Sequence, residues 1–261
     1  MNSQLIAHNG MVDLQGKNIL ITGASSGIGE ACALLCNRLG ARVHIMGRDL
    51  DRLRSVFSKL NGPGNSYHTM DLIQCDDYQE IIGSIVAKYG RLNGFIHSAG
   101  IQITLPFRSM NPKQYHDIMQ VNVVSAFEIS RHIASKRNHE KGKLSIVLIA
   151  STASIVSGNT MTSYSASKAA LVGGSKAMSV ELASSNVRVN CVSPGYVQGT
   201  GMVSQLSDIL EGSSDTSLSK NFPLGLGKTS DVSSMCAFLI SEEAKWITGQ
   251  NIVLDGGLTS M

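Results

Sequence analysis

A tyrosine and a lysine four positions apart are the residues in this chain that are best suited to acid–base chemistry. Tyr164 and Lys168 lie among small residues, with Ser151 thirteen positions before the tyrosine. On a helix, side chains at this spacing share one face, with about 5–6 Å between their Cβ atoms. An ammonium about 4 Å from a phenol favours the phenolate by roughly 4 kcal/mol at an effective dielectric constant near 20. We therefore expect Lys168 to lower the pKa of Tyr164 toward neutrality, which makes Tyr164 a candidate proton donor or acceptor.

These residues also have a structural interpretation. A Tyr–Lys pair at this spacing arises readily by chance and then belongs to a solvated helix face. Ser151 directly follows an apolar stretch, residues 144–150, in which only Ser145 is polar, and a serine there can cap the next turn. Such a stretch is typical of a buried strand, and ligands of parallel sheets bind beyond the carboxyl ends of the strands. The elements that position these residues must decide between the two interpretations.

The amino-terminal part of the chain predicts a dinucleotide site. An apolar stretch, residues 18–21, is followed by the glycine-rich run of residues 22–29 and then by a helical pattern. Gly23, Gly27 and Gly29 let the backbone turn tightly and approach a pyrophosphate, and the start of a helix favours negative charge. The spacing is GxxxGxG rather than GxGxxG, so a glycine-rich turn without a ligand is the alternative.

The segment after the second predicted strand bears on the choice between NAD and NADP. A NAD site typically has an acidic residue there, which accepts hydrogen bonds from the ribose hydroxyls, whereas an arginine suits a 2′-phosphate. This chain has Gly47 in that place, followed by Arg48 and Asp49, and Ser25 and Ser26 lie in the glycine turn as possible phosphate donors. The pattern favours NADP. Alternatively, Arg48 is a solvated residue at a helix start and Asp49 is a helix N-cap.

The rest of the chain alternates short apolar stretches with amphipathic helical patterns. Strands are predicted at residues 42–46, 66–70, 93–97, 144–150 and 187–192, with a final strand and turn at 251–257, and helices at residues 50–60, 78–89, 111–131 and 228–240. This alternation predicts a doubly wound α/β fold, a parallel sheet with helices on both faces. We expect one domain over residues 1–261, with residues 1–12 as an N-terminal extension and the serine-rich residues 198–225 as a substrate lid.

One polar residue in the predicted helix of residues 111–131 calls for a partner. Asn122 lies between Val121 and Val123. A buried amide costs free energy unless it is hydrogen-bonded. We therefore expect Asn122 to have a structural hydrogen-bond partner.

Composition excludes several classes of function. The chain has 43% hydrophobic and 16% charged residues and a net charge of +3 that is scattered along the sequence, so neither a nucleic-acid surface nor a membrane surface is indicated. No secretory leader or spanning segment is apparent, which predicts a cytoplasmic protein. Five cysteines without a CxxC pair and seven dispersed histidines predict reduced buried thiols and no metal site.

Taken together, the motifs resemble the short-chain dehydrogenase/reductase family over residues 13–257. Residues 22–29 resemble its TGxxxGIG turn and residues 97–100 its NNAG segment, with Ser98 in place of the second asparagine. Pro194-Gly195 and Asp255-Gly256-Gly257 also match, and the family's Asn-Ser-Tyr-Lys tetrad corresponds to Asn122, Ser151, Tyr164 and Lys168. The resemblance implies a seven-stranded doubly wound sheet, assembled as a homotetramer.

The resemblance also implies a role for each residue of the tetrad. Tyr164 would donate a proton to a carbonyl oxygen as a nicotinamide delivers hydride to the carbon, or run the reverse reaction, and Ser151 would hydrogen-bond that oxygen. Lys168 would lower the Tyr164 pKa and bind the ribose hydroxyls, while Asn122 would hold a water that relays protons to Lys168. The implied cofactor-binding residues are Gly23, Ser25, Ser26, Gly27, Ile28, Gly29, Arg48, Asp71, Ala99, Gly100, Tyr164, Lys168, Pro194, Gly195, Val197 and Thr200. Asp71 would contact the adenine, and Thr200 stands one position later than the family's threonine, with Gly199 at the usual place.

The sequence leaves the substrate open. It is similar overall to 3-oxoacyl-[acyl-carrier-protein] reductases, but Ser185 stands where those enzymes carry an arginine that docks the acidic carrier. Lys141 and Lys143 could compensate, or the substrate could be a free sugar, polyol or other secondary alcohol. Two further alternatives are a catalytically silent dinucleotide-binding scaffold and a sugar-nucleotide epimerase. A scaffold that has lost catalysis would not need all four residues of the tetrad, which this chain retains. The epimerases have a different glycine turn and a larger C-terminal domain.

Overall fold

A seven-stranded parallel sheet forms the centre of the computed structural model, which describes residues 12–74, 77–201 and 222–260. The strand order is β3-β2-β1-β4-β5-β6-β9, and every pairing is parallel. The strands are β1 Asn18–Thr22, β2 Arg42–Gly47, β3 Ser66–Thr69, β4 Gly94–His97, β5 Ser145–Ile149, β6 Arg188–Pro194 and β9 Asn251–Leu254. A separate ribbon pairs β7 (Val197–Gln198) with β8 (Gly227–Lys228). The predicted doubly wound α/β fold is confirmed.

Helices connect the strands and cover both faces of the sheet. They are α1 Gly27–Arg38, α2 Leu50–Phe57, α3 Tyr78–Tyr89, α4 Pro112–Met119, α5 Ser125–Ile133, α6 Thr162–Glu181 and α7 Thr229–Ile240. The helix predicted at residues 111–131 is interrupted by a π-helix, Gln120–Val124, between α4 and α5. Sequence periodicity did not indicate this interruption. Such π-turns inside helices are frequent at functional sites, and Asn122 lies in this one.

Two hydrophobic clusters, one on each face of the sheet, form the core. Ile19 and Ile21 of β1 pack with α1, α2 and α7, whereas Leu20 between them packs with α3, α5 and α6. Because successive side chains of a strand point to opposite faces, a strand covered on both sides is apolar throughout. This burial explains the continuous apolar stretches of the sequence.

The order of the strands determines where a ligand can bind. The chain runs from β1 outward to β3 and then returns to β4 on the other side of β1. In sheets of this kind the crevice lies beyond the carboxyl ends of the strands, where the direction reverses. The glycine turn follows β1, residues 98–100 follow β4, and Ser151 lies two residues after β5. The candidate residues therefore come to the same edge of the sheet.

Some predictions fall partly outside the described residues. The N-terminal extension is described only at Val12, and residues 202–221 of the predicted lid are not described. Cys32, Cys36, Cys191 and Cys236 are buried free thiols, while Cys75 is outside the described ranges. Within those ranges, no helix is long and apolar enough to cross a bilayer. No group of three potential metal ligands comes together in the same part of the chain.

Candidate active site

Helix α6 holds Tyr164 and Lys168 in the interior rather than on a solvated face. Their relative exposures are only 6% and 3%, so the interpretation as a chance surface pair is wrong. The Lys168 Nζ donates a hydrogen bond of 2.8 Å to the carbonyl oxygen of Ile149 at the end of β5. The same nitrogen lies 5.7 Å from the centroid of the Tyr164 ring. The end of β5 and the first turns of α6 thus position the pair.

Ser151 caps a turn, as one interpretation predicted, and it also contacts Tyr164. It is the N-cap of a short 3₁₀ helix, Thr152–Ser154, and its Oγ accepts a hydrogen bond of 3.1 Å from the backbone nitrogen of Ala153. Its side chain also hydrogen-bonds the phenol of Tyr164. The cap fixes the serine at the carboxyl end of β5, and the second contact joins it to the tyrosine.

The pKa values of the pair differ from the simple electrostatic expectation. Burial raises the pKa of Tyr164 to about 12, and the hydrogen bond from Ser151 only partly opposes this rise. Burial lowers the pKa of Lys168 to about 8, with a smaller opposing contribution from Cys191. The expected fall of the Tyr164 pKa toward neutrality is therefore wrong. The lysine ammonium is directed at the Ile149 carbonyl, and desolvation of the phenolate dominates.

Asn122 has the structural partners that its burial requires. Its Oδ1 accepts a hydrogen bond of 2.8 Å from the Ile101 nitrogen, and its Nδ2 donates to the Ile101 carbonyl at 3.0 Å. The same Nδ2 donates to the Oγ of Ser167 at 2.9 Å. A Cβ added to Gly100 would lie 3.4 Å from both Asn122 Oδ1 and Lys168 Nζ. The amide oxygen and the lysine nitrogen thus face one small space beside Gly100.

His97 is a buried residue of the site that the sequence did not single out. Its Nδ1 lies 3.0 Å from the Oγ1 of Thr22, which also accepts a hydrogen bond of 3.4 Å from the Ala99 nitrogen. Burial and the charge of Lys168 lower its pKa to about 3 despite an opposing backbone interaction with Val121. Its Nε2 has no hydrogen bond of standard geometry among the described residues. The neutral imidazole links the ends of β1 and β4. A histidine within a predicted apolar strand was the feature of the sequence from which this residue could have been found.

The turn between β1 and α1 fits the pyrophosphate of a dinucleotide. Gly23 has a φ of +67° and Gly27 a φ of +57°, a region that favours glycine. A Cβ on Gly23 would lie 2.6 Å from the Ala99 nitrogen, and one on Gly29 would collide with the Gly23 carbonyl. Ser26, the N-cap residue, makes no side-chain hydrogen bond to the helix, and Ile28 packs on the core beneath. The Ser26 side chain therefore does not cap the helix start, where backbone N–H groups favour an anion.

The residues proposed for the adenosine end lie at the carboxyl ends of β2 and β3. Arg48 is exposed directly after β2, and a Cβ on Gly47 would lie 3.3 Å from the Ser25 Oγ. Asp49 caps α2 by accepting a hydrogen bond of 3.0 Å from the Arg52 nitrogen, as one interpretation predicted. Asp71 follows β3, and its Oδ1 accepts a hydrogen bond of 3.0 Å from the Ile73 nitrogen. These residues border one end of the crevice.

The other predicted cofactor residues follow β6. Pro194 ends this strand, and a Cβ on Gly195 would lie 3.0 Å from the Asp255 Cα, so the turn packs closely on the end of β9. Val197 begins β7, and its carbonyl accepts a hydrogen bond of 2.9 Å from the Thr200 Oγ1. A Cβ on Gly27 would lie 3.6 Å from the Thr200 Cγ2. Despite its shift by one position, Thr200 lies across from the start of α1.

Comparisons with known proteins identify the family of this chain. The family model described as Enoyl-(Acyl carrier protein) reductase matches residues 23–259. The chain is 35% identical to the 3-oxoacyl-[acyl-carrier-protein] reductase FabG of Thermotoga maritima, over 94% of this chain and 98% of that protein. It belongs to the short-chain dehydrogenase/reductase family. A tropinone reductase homolog of Arabidopsis thaliana is 34% identical, over 94% of this chain and 93% of the relative.

Solved structures of this family share the fold. The crystal structure described as a short-chain dehydrogenase/reductase, glucose/ribitol dehydrogenase, from Brucella melitensis superposes with a TM-score of 0.87 at 30% identity. The superposition covers 95% of this chain and 98% of the other. As a short-chain dehydrogenase/reductase, the protein is an NAD(P)-dependent oxidoreductase that uses a nicotinamide dinucleotide.

Proposed function

We propose that the protein is an NADP(H)-dependent reductase that converts a ketone to a secondary alcohol, or runs the reverse reaction, with Tyr164 as the proton donor. The observation that carries this proposal is the cluster of the half-buried Ser151 with the buried Tyr164 and Lys168, at the sheet edge that also holds the glycine turn. When bound, the nicotinamide supplies the hydride for the carbonyl carbon.

The ionisation of the site suits proton donation. With a pKa of about 12, Tyr164 stays protonated at neutral pH, which is the state that a donor needs. With a pKa of about 8, Lys168 is mainly an ammonium at pH 7 and stabilises negative charge as the proton leaves the phenol. Because Ser151 hydrogen-bonds the phenol, a carbonyl oxygen in contact with Tyr164 is also within reach of the serine hydroxyl.

The proposed proton relay fits the surroundings of Asn122. Two protons of its amide nitrogen and one lone pair of its oxygen are occupied by Ile101 and Ser167. Its Oδ1 retains a second lone pair and borders the same space as Lys168 Nζ beside Gly100. During reduction, a water in that space would pass a proton from solvent to the lysine, which would replace the proton that Tyr164 donates.

Arg48 supports NADP rather than NAD as the cofactor. Its guanidinium is exposed beside the end of β2, and no acidic residue of the described part of the chain pairs with it. At the preceding position, a side chain on Gly47 would crowd the Ser25 hydroxyl. The carboxylate that would bind ribose hydroxyls and repel a 2′-phosphate is thus missing at position 47, and a cation follows at position 48.

An apolar rim supports a 3-oxoacyl thioester over a sugar as the substrate. Ile155 and Val156 follow Ser151 closely and are 54% and 48% exposed, and Phe107 in the loop after β4 is 67% exposed. The two loops are joined by a hydrogen bond of 3.3 Å from the Leu105 nitrogen to the Thr160 carbonyl. Apolar side chains suit an acyl chain, whereas a sugar needs polar partners for its hydroxyls.

More specifically, we propose that an acyl carrier protein carries the thioester substrate. The Gly142 nitrogen donates a hydrogen bond of 3.2 Å to the Ser185 carbonyl, so Lys141 and Lys143 flank the serine. Lys143 pairs with Glu140 at 2.5 Å, whereas Lys141 has no ion-pair partner among the described residues. Lys141 therefore offers a free positive charge to an acidic carrier.

We also propose that the protein is a cytoplasmic homotetramer. β9 is an edge strand of the sheet with Ile252, Val253 and Leu254 only partly buried, and a second copy would cover them. The buried free thiols suit a reducing compartment. Light scattering coupled to size-exclusion chromatography tests the assembly, and a monomer would contradict it.

The test of the function is oxidation of NADPH by the purified protein against a panel of carbonyl compounds. Acetoacetyl-CoA stands for the acyl thioester, and keto sugars and small ketones stand for the alternative. Turnover of the thioester with NADPH and not NADH supports the full proposal. Turnover of a keto sugar alone would reject the acyl substrate but keep the chemistry, and no turnover of any ketone would reject the proposed reaction.

A further inference from the structure

Ser167 connects two elements of the candidate site, helix α6 and the π-helix, through one hydroxyl group. It lies on α6 directly before Lys168 and has no exposed surface. Its Oγ donates a hydrogen bond of 2.7 Å to the Tyr164 carbonyl and accepts one of 2.9 Å from Asn122 Nδ2. Since a hydroxyl has one proton, the bond to Tyr164 leaves the oxygen lone pairs free to accept the amide proton. Donor and acceptor roles are thus fixed along the chain from Asn122 to Tyr164.

The orientation of the Asn122 amide follows from its other partner. Ile101 presents its N–H to Oδ1 and its carbonyl to Nδ2, so the reversed amide would set donor against donor and acceptor against acceptor. In this orientation one proton of Nδ2 goes to the Ile101 carbonyl and the other to Ser167. Without the serine oxygen, that second proton would be buried with no partner.

We propose that Ser167 is a positioning residue that holds the Asn122 amide in the orientation that the proposed reaction uses. It ties the π-helix to α6, and Asn122 in turn ties both to the backbone of Ile101 after β4. Loss of the serine oxygen would let the amide move, and Oδ1 would leave the space that it shares with Lys168 Nζ beside Gly100. Ser167 itself touches neither a substrate nor a cofactor. This inference rests on the proposed function.

Ser179, another buried serine of α6, shows what a purely local hydrogen bond looks like. Ser179 is 6% exposed, and its Oγ donates a hydrogen bond of 2.7 Å to the Lys176 carbonyl, three residues before it. Ser167 makes the same local bond to Tyr164. Only Ser167 also accepts from Asn122. Ser179→Ala is therefore the matched control, because it removes the local bond of the same helix without affecting the candidate site.

The first measurement compares the kcat, KM and cofactor Kd of Ser167→Ala and Ser179→Ala with those of the wild-type enzyme. We expect Ser167→Ala to lower kcat about tenfold, which corresponds to about 1.4 kcal/mol, with KM and Kd within about twofold. Ser179→Ala should keep the wild-type kcat. Ser167→Cys, whose sulfur is a weak acceptor, should fall between the two. Equal kcat for both alanine variants would overturn the inference.

A double-mutant cycle with Asn122→Ala tests whether the serine acts through the asparagine. If it does, adding Ser167→Ala to the Asn122→Ala enzyme lowers kcat no further, whereas multiplied losses would overturn the inference. The melting temperature of every variant is measured, and kcat is compared at a temperature where all variants are fully folded. If Ser167→Ala has the wild-type kcat at that temperature, the positioning role is rejected. Wild-type turnover with an unaffected Ser167→Ala enzyme would reject this inference alone. A wild-type enzyme silent on every ketone would reject the proposed function as well.

Discussion

The two halves of the sheet, divided between β1 and β4, build their parts of the candidate site in different ways. In the half with β1 to β3, the glycine turn presents backbone, and side chains are excluded by contacts such as that of Gly23 with Ala99. In the half with β4 to β6, the site consists of buried side chains, with Asn122, Tyr164 and Lys168 all under 7% exposed. We therefore expect the glycine turn to lose its function when a side-chain atom is added. We expect the buried side chains of the other half to lose theirs when a polar atom is removed.

This difference shows how the two halves tolerate change. A backbone surface at a helix start binds an anion through geometry and the helix dipole, and it needs no ionisable group. The buried side chains instead depend on their hydrogen-bond partners and on shifted pKa values, as for Lys168 at about 8. Substitutions in the first half should therefore affect cofactor affinity, and substitutions in the second should affect turnover.

Tyr164→Phe should give the largest effect and separate the two halves most clearly. Removal of the phenolic hydroxyl takes away the proposed proton donor, and general acid catalysis is worth about 10²–10⁴-fold. We expect kcat to fall by at least roughly 10³-fold while the Kd for NADPH, measured by fluorescence titration, stays near the wild-type value. A variant that keeps most of its activity would show that Tyr164 is not the proton donor.

Gly23→Ala should produce the opposite pattern, a loss of cofactor affinity. The new Cβ would lie 2.6 Å from the Ala99 nitrogen at a φ of +67°. Strain and clash together should exceed about 3 kcal/mol, or roughly 100-fold in Kd.

Gly16→Ala is the matched control for this substitution. Gly16 has a φ of +74°, but nothing lies within 4 Å of its added Cβ. It should therefore cost only the backbone strain of about 1–2 kcal/mol, seen as a lower melting temperature with an unchanged Kd. Equal Kd values for the two variants would contradict the binding of the cofactor pyrophosphate by the glycine turn.

The sequence predicted the backbone half better than the side-chain half. Glycines that need positive φ or close approach are visible in a sequence, so the spacing of Gly23, Gly27 and Gly29 was enough to assign them to the turn. The contact of Asn122 with Ser167 joins residues 45 positions apart, and that of Thr22 with His97 joins residues 75 apart. No local pattern encodes such pairs.

Burial was a second quantity that spacing did not reveal. The four-residue interval placed Tyr164 and Lys168 on one face of α6, which the structure confirms. The interval contained no information on desolvation, which raises the Tyr164 pKa rather than lowering it. The π-helix at Gln120–Val124 was likewise missed, since residues 111–131 have ordinary helical periodicity.

The pH dependence of the reduction should report Lys168. Its pKa is lowered to about 8, so the ammonium is present below that pH and is lost above it. We expect kcat/KM, which reflects the free enzyme, to be constant up to about pH 8 and then to fall by about tenfold per pH unit. Lys168→Arg keeps its charge over this range, so the variant should be slower than the wild-type enzyme but should not lose kcat/KM above pH 8. A wild-type kcat/KM that is constant up to pH 10 would exclude Lys168 as the group that titrates.

Arg48→Ala should have the smallest effect and test the cofactor preference at the edge of the backbone half. A hydrogen bond from an exposed guanidinium to a 2′-phosphate is worth about 1.5 kcal/mol, near the lower limit for charged groups. We expect the Kd for NADPH to rise about tenfold and the Kd for NADH to stay nearly constant. Arg52→Ala is the control, because Arg52 is an exposed arginine of the adjoining helix α2 that lies 3.3 Å from Asp49. Equal losses of affinity for NADPH and NADH would show that Arg48 does not bind the 2′-phosphate. Any remaining preference for NADPH would then have to come from the absence of an acidic side chain at Gly47.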